Sequence, residues 1–292
     1  MSTPVDETLS PAATQAVAAK VLTGAWSGKG LLKLLGELEK WDVVIEAKKA
    51  RMKRLWIGSM IGTFVGFVLM IFLFPYGIPL FLIPFVLIFV FKKKLNGFQA
   101  ADIPDELRKS LRPVLKQLGQ DLHPEEKIRG TIQLAGIDES RCKLKKDLPP
   151  GRNRSLKLSV FEEDLCDLRL PLADGSTAVL RLSNTFHKVE RSYTSTRGKY
   201  KSKTKWKKLS TATAMLIPAV RWNWEPARMQ KFVDTVNERL SFSEKDGVMA
   251  ARLDRYYKFK AAGDAPTDIV PAADIMKLFV RLGGMRPAGG AR

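Results

Sequence analysis

The sequence predicts a membrane-anchored α+β protein. An N-terminal amphipathic helix and a transmembrane helical hairpin are expected to precede a cytoplasmic domain of antiparallel strands with flanking helices. Three observations support this fold class. Residues 55–91 contain no charged residue and no histidine. Beyond residue 128 the apolar period changes from about 3.6 to 2, as it does between helices and half-buried strands. Most of the net charge of +19 lies after residue 91, so the domain that follows the apolar segment is basic.

The region before the apolar segment is predicted to be mainly helical. Residues 1–14 contain prolines and small polar residues, which are typical of a flexible end. Within residues 15–54, six large apolar residues recur at helical spacing and define one stripe. They are Leu31, Leu34, Leu35, Leu38, Trp41 and Ile45. The stripe could lie on a membrane surface or pack on the protein's own domain, and the pattern leaves both alternatives open.

A glycine-rich stretch, TGAWSGKG at residues 23–30, does not meet the requirements of a phosphate-binding loop. Gly24 and Gly28 enclose three residues where that loop needs four, and Gly30 stands where a Ser or Thr would hold magnesium. We expect a break between two helical pieces here.

Residues 55–91 are predicted to form a transmembrane hairpin. The first arm, residues 55–74, would be about 30 Å long as a helix, which is enough to cross a bilayer. Pro75, Gly77 and Pro79 then supply a turn. The second arm, residues 78–91, gives only about 21 Å and contains Pro84. We expect two crossings, with a re-entrant second arm as the alternative.

The flanking charges predict the orientation of the hairpin. Five cations occupy residues 48–54, and Lys92, Lys93 and Lys94 follow the second arm at once. Because cations flanking a span stay on the cytoplasmic side, both termini are expected to be cytoplasmic, as in a bacterial inner-membrane protein. The first 15 residues lack the basic start and apolar run of a signal peptide, so the apolar segment is expected to remain as an anchor.

Gly58, Gly62 and Gly66 recur every four residues on the first arm. On a helix they share one face, which another backbone can approach closely. The pattern favours packing against the second arm, which is tethered and therefore at high effective concentration. A homo-oligomer interface through this face is the alternative.

Helix and strand signals follow one another in the basic domain. A helix is expected from Asp102, kinked or divided at Pro113, and strands are expected where apolar and polar residues alternate. The strand candidates are 128–134, 156–160, 166–172, 177–189 and 204–217, with ADGS at 173–176 as a turn. Glu162, Glu163 and Asp164 are expected to form another turn. Helices are then predicted from Pro226 to Leu240, over residues 244–262, and from Pro271 to Leu282.

The expected division of the chain follows from these segments. It comprises a flexible start (1–14), a helical region (15–54), the hairpin (55–91), a basic linker (92–101), a basic α+β domain (102–242), C-terminal helices (243–284) and a disordered tail (285–292). The layout of strands followed by a helix resembles that of pleckstrin-homology-like barrels, although no sequence motif assigns the chain to that family.

The sequence does not indicate catalysis. Cys142 and Cys166 form no C-x-x-C pair and are expected to be buried free thiols. His123 and His187 are the only histidines. The sequence pattern does not indicate a catalytic set of nucleophile, base and orienting group. We expect no metal site, no cofactor and no enzymatic activity.

The stretch RGKYKSKTKWKK, residues 197–208, carries a cation at every second position. On a strand those six cations share one face, while Tyr200 and Trp206 fall on the other. Lys188 and Arg191 precede the stretch, and a second basic cluster lies at residues 142–154. The predicted anion- or lipid-binding residues are Lys143, Lys145, Lys146, Arg152, Arg154, Lys188, Arg191, Arg197, Lys199, Lys201, Lys203, Lys205 and Lys207.

The cations are compatible with three interpretations. An edge strand carries lysines to prevent pairing with other chains, and such a strand can also contact an acidic protein. A membrane-tethered cationic face lies near anionic lipid headgroups. Nucleic acid is less favoured, because no aromatic residues are interleaved on the cationic face. The sequence therefore predicts a membrane-anchored binding or scaffolding module for anionic lipid or an acidic protein, with a nucleic-acid-binding protein as the alternative.

Overall fold

The computed structural model describes residues 9–72, 74, 77–101, 103–135, 156–194, 200–219, 238–245, 248–262 and 268–284. The protein is α+β, with a long N-terminal apolar helix and a seven-stranded antiparallel sheet. The chain divides into two compact units. The helical unit comprises Met1–Ala18 and Gly36–Ile103, and the sheet unit comprises Ala19–Leu35 and Pro104–Arg292.

The N-terminal region contains a strand that the sequence analysis did not predict. Helix α1 (Pro11–Ala19) is followed by β1 (Val21–Trp26) and then by helix α2 (Gly28–Phe72). The expectation of helix through residues 15–54, interrupted only by a joint, is therefore wrong at β1. Strand β1 forms because β2 (Ile128–Gln133) pairs with it, and that partner lies about a hundred residues away in the sequence.

Helix α2 begins with the predicted apolar stripe. Its six residues, Leu31, Leu34, Leu35, Leu38, Trp41 and Ile45, are all buried within the protein. The alternative in which this stripe rests on a membrane surface is therefore wrong. Ser27 precedes the helix, and its Oγ accepts a hydrogen bond from the Gly30 N–H, as a helix cap does.

The second half of α2 has the opposite character, because its apolar residues face outward. Within the described residues, α2 is the one helix long and apolar enough to cross a membrane. Only 11 % of its most apolar 18-residue window is buried, which distinguishes it from the core helix of a soluble protein. Phe64, Ile71 and Phe72 are among its exposed side chains.

Helix α3 (Gly77–Ala101) contacts α2 through the predicted glycine face. A Cβ atom at Gly66 would clash with the Leu80 carbonyl oxygen, and one at Gly62 would lie 3.4 Å from Pro84. The Phe67 and Phe81 rings lie 6.0 Å apart. These contacts fit the expected packing of the two arms, whereas a Cβ at Gly58 would meet no atom within 4 Å.

The second segment of the sheet unit, from Pro104 onward, begins with short helices. A π-helical segment (Leu107–Leu111) leads into α4 (Arg112–Leu118), so the helix changes type just before Pro113, where a kink or a division was expected. Helix α5 (Ala272–Gly284) matches the last predicted helix and buries Ile275, Leu278 and Leu282. Helix α5 packs against α4, the π-helical segment and two of the strands, and this layer covers one face of the sheet, which we call the inner face.

The seven strands form one open series. The strands beyond β2 are β3 (Leu156–Pro171), β4 (Thr177–Thr194), β5 (Tyr200–Ile217), β6 (Glu238–Lys245) and β7 (Val248–Ala262). Their order in the sheet is β1-β2-β3-β4-β5-β7-β6, and each pair of neighbouring strands is antiparallel. Within the described ranges no pairing joins β1 to β6, and the resemblance to a pleckstrin-homology-like barrel is not confirmed.

Strand β3 is longer than predicted because a β-bulge lies inside it. The register with β4 shifts between Asp164 and Cys166, so the inward side changes from odd to even residue numbers. Ser159 and Phe161 are buried before the bulge, and Leu168 is buried after it. The predicted strands at 156–160 and 166–172 are therefore one strand, whose first half has the opposite face inward. The turn predicted at Glu162, Glu163 and Asp164 is wrong, since all three pair with β4.

The turn between β3 and β4 is confirmed at residues 173–176. Gly175 has a φ of 78°, and its N–H donates to the Leu172 carbonyl at 3.0 Å. The sequence also favours a turn at Arg197 and Gly198, between β4 and β5, and these two residues lie outside the described ranges. So does the predicted helix from Pro226, except that its last residues lie in β6.

The helix predicted over residues 244–262 is wrong, because β7 occupies Val248–Ala262. Its alanine-rich start is compatible with a helix. Pairing with β5 on one side and β6 on the other overrides that local preference.

Replacing Gly66 with Leu should break the contact between α2 and α3. The Leu80 carbonyl leaves no room for a side chain, so we expect a loss of about 1–3 kcal/mol of stability relative to Gly58→Leu. The two substitutions raise helix propensity equally, and their difference therefore measures the contact.

Thermal unfolding of the full chain in detergent would make this comparison, with cross-linking in membranes alongside. Equal stability of the two variants would contradict the packing of α3 on this face. A cross-linked dimer that Gly58→Leu abolishes would instead favour the homo-oligomer.

Candidate functional site

The predicted alternation of the lysine-rich stretch is confirmed within β5. Lys201, Lys203 and Lys205 are exposed, whereas Trp206 is buried on the opposite face. Trp206 packs with Phe161, and their ring centroids lie 6.2 Å apart. Trp206 therefore anchors β5 on the inner face of the sheet. Arg197 and Lys199, the first two cations of the predicted row, lie outside the described residues.

The position of β5 in the sheet limits the edge-strand interpretation. Strand β4 pairs with β5 along its whole length, and β7 pairs with it from Lys205 to Leu216. Lys205 and Lys207 therefore lie in the interior of the sheet, where protection of an edge is not needed. The edge argument applies only to Lys201 and Lys203.

Neighbouring strands add cations to the same face. The register places Arg191 of β4 opposite Lys203, Lys260 of β7 opposite Lys207, and Lys258 opposite Leu209. Directly paired residues present their side chains on the same side of a sheet. We call this set the cationic face, and it comprises Arg191, Lys201, Lys203, Lys205, Lys207, Lys258 and Lys260. All are exposed except Lys207, which is half-buried.

Lys258 and Lys260 were missed because their segment was assigned to a helix. The alternation in YKFK, residues 257–260, was the signal that could have identified them. On a helix the two lysines would not share a face, whereas on β7 they continue the row of β5.

The lysines of the cationic face lack internal counterions among the residues that the structure describes. Within the described ranges, none of its six lysines forms an ion pair. Lys207 and Lys260 are direct cross-strand neighbours, and like charges at such positions destabilise a sheet. An external anion would relieve that repulsion.

Lys188 does not belong to the cationic face, which corrects the sequence prediction. It pairs with Trp206, so its side chain lies on the inner side of the sheet. Its Nζ lies 5.4 Å from the centre of the Trp206 ring and 3.0 Å from the Glu190 carboxylate. Lys143, Lys145, Lys146, Arg152 and Arg154, the second predicted cluster, lie outside the described residues.

Acidic residues share the outer surface but lie further from the end of the sheet at which β4 ends and β5 begins, which we call the tip. Glu162 and Asp164 of β3 are exposed there, and Asp167 pairs with Arg181 at 2.8 Å. The outer surface is therefore divided along the strands. Its tip half is cationic, and its other half is mixed in charge.

His187 lies on the cationic face, directly opposite Lys207. Burial and the neighbouring Lys207 ammonium lower the pKa of His187 below its ordinary value. His123 lies elsewhere, in the loop after α4, where its Nδ1 accepts hydrogen bonds from the N–H groups of Glu125 and Glu126.

The inner face of the same strands carries a buried ion pair. Lys208, adjacent to the cationic row, is 2 % exposed, and its Nζ lies 2.5 Å from the Glu106 carboxylate. It also donates to the Asp268 carbonyl at 2.7 Å. The Phe186 and Phe259 rings lie 5.7 Å and 5.9 Å from Nζ. The last cation of the sequence stretch is thus part of the core.

Glu163 lies in the same buried polar region. Burial raises its pKa to about 7, although the Asn184 side chain donates a hydrogen bond to it and Lys208 is nearby. Asn184 in turn accepts a hydrogen bond of 2.6 Å from Ser210. The bulge turns Glu163 inward, which the sequence pattern did not indicate.

Cys166 is a buried free thiol, as predicted. Burial raises its pKa to about 12, so it is not a reactive nucleophile. It lies on the inner side of the sheet and His187 on the outer side, so these two residues cannot share a metal ion. Cys142 lies outside the described residues.

No known protein family, curated protein or solved structure matches this chain. The case for a function therefore rests on the charges and contacts described above.

Replacing Lys208 with Met should destabilise the protein strongly. The Glu106 side chain is only 13 % exposed and would lose its cationic partner. Removal of one member of a buried ion pair typically lowers the free energy of unfolding by about 3–5 kcal/mol. Lys205→Met is a matched control, since it makes the same change on the exposed face and should stay within about 0.5 kcal/mol of the native protein. Chemical unfolding of the full chain would measure both. A similar effect of the two substitutions would contradict the buried pair.

Glu163→Gln should stabilise the protein at pH 8 much more than at pH 5. The pKa of Glu163 is higher in the folded state than the ordinary value of 4.5, so its ionisation lowers stability as the pH rises from about 4.5 to about 7. The glutamine stays neutral, and we expect a gain of about 1–3 kcal/mol at pH 8.

Unfolding of the full chain at pH 5 and pH 8 would test this difference. Glu162→Gln is the control, because the adjacent carboxylate is exposed on the other face. If both variants respond to pH in the same way, the environment described for Glu163 is wrong.

Proposed function

We propose that this protein is a membrane-anchored binding module whose cationic face contacts anionic lipid headgroups. The observation that carries the proposal is the cationic face itself, on which seven cations from three adjacent strands lie together. Among the described residues, no acidic side chain lies directly beside Lys201, Lys203 or Lys205 on this face.

The anchoring part of the proposal rests on α2 and α3. Helix α2 exposes its most apolar window, and α3 contacts it at Gly62 and Gly66. We propose that the two helices cross the membrane as a hairpin. The cations before residue 55 and after residue 91 favour an orientation with both ends in the cytoplasm, as in a bacterial inner membrane.

The geometry of the cationic face suits a lipid surface. Lys201 to Lys207 extend about 20 Å along β5, and Arg191 and Lys260 widen the face to about 10 Å across the neighbouring strands. Paired backbones hold the cations in a fixed array, so binding orders only the ends of the side chains. Each well-placed cation contributes about 1 kcal/mol at an anionic leaflet, and several together hold a tethered domain.

Lysine labelling would test the proposal. The full chain would be placed in nanodiscs of phosphatidylcholine, with or without phosphatidylglycerol, and the reaction of each lysine with an amine reagent would be quantified by mass spectrometry. We expect Lys201, Lys203, Lys205, Lys258 and Lys260 to be protected in the anionic discs, and protection to fall as salt is raised.

Lys116, exposed on α4, is the internal control and should react equally in both discs. Equal labelling of the cationic face in the two lipids would contradict the proposal. Protection that appears only after an acidic protein or a nucleic acid is added would show that this partner, and not lipid, binds the cationic face.

A further inference from the structure

One row of the cationic face has a distinct composition. His187, Lys207 and Lys260 are consecutive partners across β4, β5 and β7, so the three side chains lie side by side on the outer surface. Neighbouring positions in such a row are about 5 Å apart. His187 and Lys207 are half-buried, whereas Lys260 is exposed. We call these three residues the histidine row.

The surroundings of the histidine row are cationic on two sides. Lys205 lies in the next row towards the tip, and Lys258 lies in the next row away from it. On β3, Val160 is the direct partner of His187. Arg191 lies further along β4, and among the described residues the nearest acid on the outer face is Glu162, diagonal to His187.

We propose that the histidine row is the point at which the cationic face binds the phosphate oxyanion of a lipid headgroup, and that binding there adds a proton to His187. This inference rests on the proposed function, because it names a subsite and a regulator of the same face. The two lysines supply the fixed charge, and the imidazole donates a hydrogen bond from a ring nitrogen once protonated.

The direction of the pH effect follows from the contacts. In the free protein, burial and Lys207 favour the neutral imidazole and lower the pKa of His187. A bound phosphate brings negative charge to the row and favours the imidazolium, so the pKa rises on binding. By linkage, the affinity for phosphate must increase as the pH falls towards and below the pKa of the free histidine. The proton comes from solvent and returns to it on release.

NMR titration of the two histidines would test the inference. The full chain, labelled with ¹³C and ¹⁵N in histidine, would be studied in phosphatidylcholine and phosphatidylglycerol nanodiscs between pH 5 and 8. The headgroup phosphates are diesters and keep their charge throughout this range. We expect the pKa of His187 to be higher in the anionic discs, by about half a unit beyond any change at His123.

His123 reports the general effect of an anionic surface, and His123→Gln assigns the two signals. The double variant Lys207→Gln/Lys260→Gln should abolish the excess shift of His187. Lys201→Gln/Lys203→Gln removes the same charge from the same face, leaves the histidine row intact and should retain most of that shift.

Lysine labelling at different pH values separates this inference from the proposed function. Protection of the cationic face should increase as the pH falls in the native protein and stay constant in His187→Gln. Protection that is independent of pH, with an unchanged His187 pKa, would overturn the inference and leave the proposed function standing. No protection at any pH would overturn the proposed function itself.

Discussion

The pairing of β4 with β5 is the constraint on which the sheet unit depends. It runs without interruption from Thr177 opposite Ile217 to Thr194 opposite Tyr200. Because side chains alternate along each strand, this register decides at every position whether a residue joins the core or the outer surface. Lys207 and Lys208 are adjacent in sequence and have opposite environments for this reason alone.

Lysines on the two faces of the sheet have different environments. On the inner face, Lys208 is desolvated and has Glu106 and a backbone carbonyl as partners. On the outer face, the lysines around His187 are exposed to solvent, or half-buried in the case of Lys207, and they repel one another. The inner arrangement is costly to break, whereas the outer arrangement is available for an external anion. We place the function on the outer face for that reason.

Local patterns were sufficient for parts of this structure. The apolar helix, the turn at Gly175, helix α5 and the alternation of β5 all follow from residue types at short spacing. Three features depended on distant partners and could not be inferred in that way. Strand β1 needs β2 beside it, β7 is a strand because it lies between β5 and β6, and the bulge after Asp164 reverses the faces of β3.

These errors in predicting the strands left the predicted set of site residues incomplete. With β7 assigned to a helix, Lys258 and Lys260 could not be placed beside the cations of β5, and the histidine row was not apparent. Lys188 was grouped with the cations by proximity in sequence, although the register turns it towards Trp206. The row of alternate lysines was correctly identified, but its neighbours depended on tertiary pairing.

We propose that the tip half of the outer face meets an anionic membrane. A spin label on Ala262→Cys would test it most directly, since Ala262 is exposed and lies opposite Lys205. With Cys142 replaced by Ser, the distance from the label to the headgroup phosphates would be measured in phosphatidylcholine and in phosphatidylglycerol nanodiscs. The account predicts a shorter distance in the anionic discs that lengthens at high salt. The same distance in both lipids would contradict it.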